Sequence, residues 1–434
     1  MKKNSSDALL PTQDSVVRSN VSRRAFLGRA SLSTAVAAAS MGAPSLLAAQ
    51  ENLSCDVDPT TSDGEVFGPV VGRARRRRAF QIRLGAAEAE RRVPVPSQVS
   101  NGDEVLYPNR IGNHSKALPH NSIGEVDTAA YASLLAATAS GEFDDFAAIP
   151  IGGNTKLACP QGGIAFCLEG SDSGQLAIQP SPALASPERA GEMVEDYWMA
   201  LARDIPFSQY GTESVTAATI AELNTLSDFR GPRVNGQVTP GTLFRGATAG
   251  DLIGPYISQF LLLPVAFGPL RAPQKYETYI PGVQGDYLTT FDSWLACQNG
   301  MGPFAPNTVS GTSYIKNGRD LGAWLHVDFL SQGPLTAAFW LLANRVPFNP
   351  GNPYLQLANQ AGSVTFGNQH ILSLLYEVSI LALKAVFYQK WFVHRALRPE
   401  GRRKLSPSQR RTELASRPTG IQQLWFVLVA SRKS

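Results

Sequence analysis

The chain has 434 residues, a net charge of +4, 43% hydrophobic residues and 17% charged residues. That length is enough for one large folded domain or two, and no internal repeat divides it. The weak positive balance and the lack of any groove-reading motif exclude a dedicated nucleic-acid binder.

The first residues read as a targeting signal. Ser22-Arg23-Arg24-Ala25-Phe26-Leu27 is a twin-arginine pattern, and a weakly apolar, Ala-rich run follows from Ala30 to Ala49. Cleavage is expected after Ala48 or Ala49. The apolar run is too weak for a lasting membrane anchor. The expected location is therefore periplasmic or extracellular, with no stable membrane insertion. Residues 1–49 read as the signal, 50–78 as a linker, 79–400 as the folded domain and 401–434 as an atypical basic tail. Arg73, Arg75, Arg76, Arg77 and Arg78 form a charge run. It reads as the solvated start of a helix carrying Phe80, Ile82 and Leu84, because Glu88 and Glu90 follow directly.

Tyr107 to Pro119 is loop-like. His114 and His120 lie in or beside it without a second ligand at zinc spacing, so both read as polar loop residues and no metal site is expected. Asp127 caps a short Ala-rich helix ending at Ser140. Phe146 to Gly174 is Gly-rich and holds Cys159 and Cys167, whose spacing suits a disulfide in an oxidising compartment and equally two free thiols. Cys55 and Cys297 have no evident partners. Ser186-Pro187-Glu188 opens a helix with a Ser cap, Pro in the first position and an acid in the first turn. Its apolar face is Met193, Val194, Tyr197, Trp198 and Leu201. A second helix is expected over Val215 to Leu226. Phe229 to Pro281 is rich in Gly and Pro, and Pro264 and Pro269 argue against a spanning helix there. Helices are expected over Asp286 to Gln298 and Asp320 to Leu342, packed inward, with His326 a satisfied core histidine. Pro347 to Thr365 reads as loop.

The stretch that organises the rest comes next. Ile371 to Tyr388 is strongly apolar, without Gly or Pro, and interrupted by Glu377 and Lys384; it reads as a core helix rather than a membrane span. Gln389-Lys390-Trp391-Phe392-Val393-His394-Arg395-Ala396-Leu397-Arg398-Pro399-Glu400 then closes it. Pro399 pushes Arg398 out of the α region, so the helix should end at or before Arg398. On an unbroken helix Lys390 and Arg398 would stand roughly 80° apart in phase and about 12 Å apart along the axis. If the last turn unwinds, both heads can meet one ligand, and a Lys point charge with an Arg fork suits a tetrahedral oxyanion. The competing reading is a basic helix C-terminus that complements the helix dipole.

The pattern Lys390-Trp391-x-Val393-His394-Arg395-x-x-Arg398-Pro399-Glu400 closely resembles the first vanadate-binding motif of vanadium-dependent haloperoxidases, in the spacing found in algal bromoperoxidases. Leu118-Pro119-His120-Asn121, the run from Phe244 to Phe260 and Asn317-Gly318-Arg319-Asp320-Leu321 resemble a bacterial branch of the same family. The resemblance spans Ala79 to Glu400. It implies a mainly α-helical bundle with long Gly/Pro-rich loops. It also implies vanadate as cofactor, hydrogen peroxide and halide as substrates, an unidentified organic acceptor and a possible homo-oligomer. Lys390 and Arg398 would hold equatorial vanadate oxygens and serve catalysis, with Lys390 polarising bound peroxide. The same architecture serves phosphoester hydrolysis, so a phosphatase-like oxyanion-binding protein is the alternative.

The family places a Ser-Gly-His motif and an Arg…His motif downstream. This sequence has no histidine after His394 and no Ser-Gly-His anywhere. The tail from Gly401 to Ser434 is basic, with Glu413 its single acid, and its one apolar run is Leu424 to Val429. The expectation is a reading-frame shift near Glu400, a helical domain incomplete at its C-terminus, and a chain inactive as written. A broken, non-enzymatic gene product is the third reading.

Overall fold

The computed structural model describes residues 73–402 apart from 168–169, 247, 249, 280–287, 289 and 303–307. The expected signal and nearly all of the expected tail lie outside the described residues. The chain divides into two compact units between Pro94 and Val95. In the first, helix α1 spans Arg73–Arg91 and so begins inside the stretch read as linker. It is solvated as expected: Arg75, Arg76 and Arg77 are exposed, and Phe80, Ile82 and Leu84 are exposed too. Glu88 pairs with Arg91 at 2.6 Å and Arg92 at 3.3 Å.

The second unit is mainly helical. Its principal helices are α2 (Thr128–Ser140), α3 (Pro187–Ala202), α4 (Ser214–Thr225), α5 (Phe291–Gln298), α6 (Gly318–Val327), α7 (Gln332–Ala343) and α8 (Asn368–Tyr388). Local chemistry sets their starts. Asp127 accepts from Ala130 N–H to open α2, and Ser186 accepts from Arg189 N–H to open α3, with Pro187 in the first turn. Asn317 accepts from Asp320 N–H at α6. The helix expected over Asp320 to Leu342 is two helices, α6 and α7. Asp328 turns extended after α6, and a proline at position 334 could not continue that helix, because its ring would meet the carbonyl four residues back. In the first turn of α7 the same proline is tolerated.

Two small antiparallel ribbons were not foreseen. Val265–Phe267 pairs with Leu270–Ala272, and Tyr276–Tyr279 pairs with Val309–Ser313. Each is too short for periodicity to reveal it.

Among the described residues the core is three clusters rather than one body. The first holds Leu118, Val126, Tyr131, Leu134, Ala137, Ile149 and Trp391. The second gathers Tyr210, Leu223, Phe229, Val238 and Leu243, and the third Leu288, Trp294 and Cys297. Helix α8 corrects the sequence reading most sharply. Only Ala385 within it is buried; Leu374, Tyr376, Val378, Ile380 and Val386 are exposed. Residues Asn368–His394 are long and apolar enough to cross a membrane by length and composition. His326 is half-buried on α6 rather than in the core.

Candidate functional site

The site forms where α8 stops being α-helical. Gln389–His394 is a π-helical turn, closed by Arg395 N–H donating to Lys390 O at 3.2 Å. Such a turn accommodates one extra residue and marks strain that packing must hold. Three neighbours hold it. Trp391 is 2% exposed, belongs to the first core cluster and donates from Nε1 to Ala158 O at 3.2 Å. The buried Gln389 donates from Nε2 to Gln98 Oε1 at 3.0 Å and to Leu176 O at 2.7 Å. Arg395 sits in the left-handed region at φ 38°, and its guanidinium donates to the Trp391 and Phe392 carbonyls at 3.1 Å each. The same guanidinium pairs with Glu104 at 2.7 Å. Arg395 thus caps its own turn, a role invisible in the motif.

After the turn the chain runs against Gly112–His114. His114 N–H donates to Arg395 O at 2.8 Å, Asn113 bridges to Ala396, and Leu397 N–H donates to Gly112 O at 3.1 Å. Arg398 then forms a 2.6 Å ion pair with Glu400, whose carboxylate is 3% exposed.

The helix does end before Arg398, and its last turn does open. Lys390 lies 4.5 Å from the Trp391 ring centroid, a cation–π contact. His114 meets the same indole edge to face at 5.3 Å. His114 is buried, and its pKa lies well below the usual histidine value. Burial is the main cause, followed by the positive charges of Lys390 and Arg398 and, less strongly, Lys116 and His120. Lys390 and Arg398 therefore act together on one neutral imidazole.

His114 and His120 are thus not plain loop residues. His120 Nδ1 lies 2.7 Å from Leu118 O, and its Nε2 lies 3.0 Å from Ser115 Oγ. A carbonyl only accepts, so Nδ1 carries the proton and Nε2 accepts from the Ser115 hydroxyl. Burial lowers the His120 pKa and the bond to Leu118 opposes this. Arg110, Ser115, His120, Gln298 and Leu397 line a cavity of about 20 Å³, room for about one water. The sequence offered one signal for these residues, the Leu118-Pro119-His120-Asn121 block; Lys116 and His114 had none. His394 donates from Nε2 to Ile178 O at 3.2 Å, and burial lowers its pKa while that bond opposes the shift. Cys159, Cys167 and Cys297 are free thiols, which settles the two readings left open for the first pair. Among the described residues no cluster of His, Cys, Asp and Glu could hold a metal ion.

A vanadium-dependent bromoperoxidase of Corallina officinalis is 33% identical to this chain over 75% of the chain and 67% of its own length. The chain belongs to the vanadium-dependent haloperoxidase family. A vanadium-dependent bromoperoxidase of Ascophyllum nodosum is also 33% identical, over 79% of this haloperoxidase-family chain and 62% of its own length. The solved homohexameric structure of the second vanadate-dependent bromoperoxidase from Ascophyllum nodosum superposes with a TM-score of 0.70 at 32% identity. It covers 76% of this chain, which in turn spans 56% of that one. No family model matches. The haloperoxidase fold is mainly helical, as the described residues are.

Vanadate, the cofactor these relatives are named for, can be tested against the residues present. Lys390, Arg398 and Lys116 all depress the buried His114, so a positive field is concentrated where water is largely excluded. That fits an oxyanion's charge. The fit is partial in its donor set: the Arg398 head is already engaged by the buried Glu400 carboxylate, which an incoming anion would have to displace or share.

Proposed function

We propose that this chain carries the lysine–arginine limb of a haloperoxidase site and binds vanadate, or an oxyanion of the same shape, through Lys390 and Arg398. The observation that carries the reading is the buried His114, whose pKa is lowered first by burial and then by the charges of those two cations. Bound vanadate supplies the family's peroxide activation, with hydrogen peroxide and halide as the reactants. The residues of this chain would do the rest. Lys390, propped on Trp391, presents an ammonium whose orientation the ring contact restricts. Arg398 adds a second cation from the extended segment after the π turn. His114, neutral and buried, keeps that segment in place through its backbone bond to Arg395.

The 434 residues contain no Ser-Gly-His and no histidine after His394. The reading therefore includes weak oxyanion binding and little or no halide oxidation by this chain alone, since an acid–base group is worth roughly 10²–10⁴ in rate. We further propose self-association, as in the homohexameric relative, through the exposed apolar residues of α8.

The test is vanadate titration of the full chain by calorimetry, with halide oxidation assayed in parallel. Weak saturable binding is expected, reduced about tenfold or more by Lys390→Ala or Arg398→Ala, with halide oxidation near background. Binding unchanged in both variants would sink the assignment of the site. Rapid bromide oxidation by the unaltered chain would sink the inactivity.

A further inference from the structure

Outside the candidate site, α8 carries a second arrangement of reactive groups. Lys384 Nζ donates to Cys167 Sγ at 3.0 Å. The two residues are 217 positions apart and both half-buried, so the contact is made by the fold. Gly163 and Gly170, before and after Cys167 in the sequence, both lie against α8. At Gly163 a side chain would stand 2.7 Å from Tyr388 N, and at Gly170 one would stand 2.7 Å from Leu381 Cδ1. At Gly163, which meets helix backbone, only glycine allows approach this close; at Gly170 the Leu381 side chain could shift to make room. The Gly163 and Gly170 contacts fall on the same stretch of helix, either side of Lys384. Cys167 is free, and among the described residues its sulfur also contacts Ala165 O at 3.8 Å.

We propose that Cys167 and Lys384 form a modification site for hydroperoxides, closing to a sulfur–nitrogen cross-link. The Cys167 sulfur attacks the peroxide O–O bond. A sulfur–oxygen bond forms, the O–O bond breaks, and the departing hydroxide takes a proton from the Lys384 ammonium, leaving as water. The sulfur is oxidised by two electrons and the peroxide is reduced. The neutral amine then attacks the sulfenic sulfur; the sulfur–nitrogen bond forms, the sulfur–oxygen bond breaks, and a second water leaves. Thiol and amine together lose two hydrogens, and one peroxide becomes two waters. The Lys384 ammonium stands within hydrogen-bonding distance of the sulfur, where it can protonate the departing hydroxide. The product ties the Cys167 segment covalently to α8 less than two turns before Lys390. Peroxide is also a reactant of the proposed activity, but the cross-link needs no vanadate and no turnover, so its failure leaves that reading standing.

The test is peptide mapping by mass spectrometry of the reduced full chain after hydrogen peroxide, digested without reductant. The expected product joins the Cys167 and Lys384 peptides, is lighter than their sum by two hydrogens, and is released by a thiol reductant. It should survive Cys159→Ser and vanish in Cys167→Ser. Lys384→Arg, which keeps a cation, should stop the reaction at a sulfenic acid that a dione reagent traps on Cys167. A chain unfolded in urea before peroxide should lose the product, because the contact depends on the fold. Four results would overturn the proposal: a Cys159–Cys167 disulfide instead, oxidised Cys167 without Lys384, a joined pair carrying an extra oxygen, or equal yield from the unfolded chain.

Discussion

Trp391 does three things at once. It fills the first core cluster, hydrogen-bonds Ala158, and offers its ring to both Lys390 and His114. Trp391→Ala should cost about 3–5 kcal/mol in urea unfolding, and should weaken oxyanion binding further by freeing the Lys390 head. Trp391→Phe keeps the ring face and should recover most of the binding, although the Ala158 bond is lost. His114 makes a pH prediction. Its folded pKa lies below the unfolded 6.5, so its stabilising contribution is full above 6.5 and is lost as pH falls below it toward the folded value. Stability measured from pH 8 to pH 5 should decline below 6.5, and His114→Gln should flatten that decline. An unchanged slope in the variant would assign the acid sensitivity elsewhere. Neither role is legible at position 114, because a histidine in a loop-like segment shows nothing of the two cations folded around it from residues 390 and 398.

At the scale of elements, the π turn explains why the Lys390 and Arg398 heads need not keep helical phase. The turn over Gln389–His394 and the left-handed Arg395 break the register before Arg398 is reached. Proline at 399 signalled the end of the helix; nothing in residue types signalled a π turn, which depends on Gln389 finding Gln98 and Leu176. Helix α3 carries a second electrostatic feature. Glu195 is pushed up to about 7, chiefly by burial and then by Asp196 and Glu192. Its folded pKa is raised, so its favourable contribution is present below 4.5 and is lost as pH rises through about 7. Glu195→Gln should remove that loss and stabilise the chain at pH 8. Because the carboxyl keeps some contact with water, the gain should be on the order of 2 kcal/mol, read from unfolding curves at pH 4 and pH 8.

For the whole molecule, the exposed apolar surface of α8 is the feature the sequence misplaced. Apolar content from Ile371 to Tyr388 reads the same whether a helix is buried by its own chain or by another surface. The tertiary structure leaves Leu374, Val378 and Ile380 uncovered. Val378→Glu with Ile380→Glu should lower the mass seen by light scattering during size-exclusion chromatography. The same variant should leave the thermal unfolding of the monomer within about 0.5 kcal/mol, as expected for surface positions. A mass unaffected by the charges would remove α8 from the association surface.

The Lys390–Arg398 motif pointed to the family by resemblance. The sequence by itself determined the helical class, the caps of α2 and α3, and the end of α8 before Pro399. These rest on local rules: periodicity, hydrogen-bond capacity and the stereochemistry of proline. Only the tertiary structure decided that His114 feels the charge of both cations, that Ser115 and His120 share a proton contact, that Arg395 caps its own turn, and that Cys167 meets Lys384. Each of these joins residues far apart in the chain, and contact across such distances follows from packing rather than from residue type.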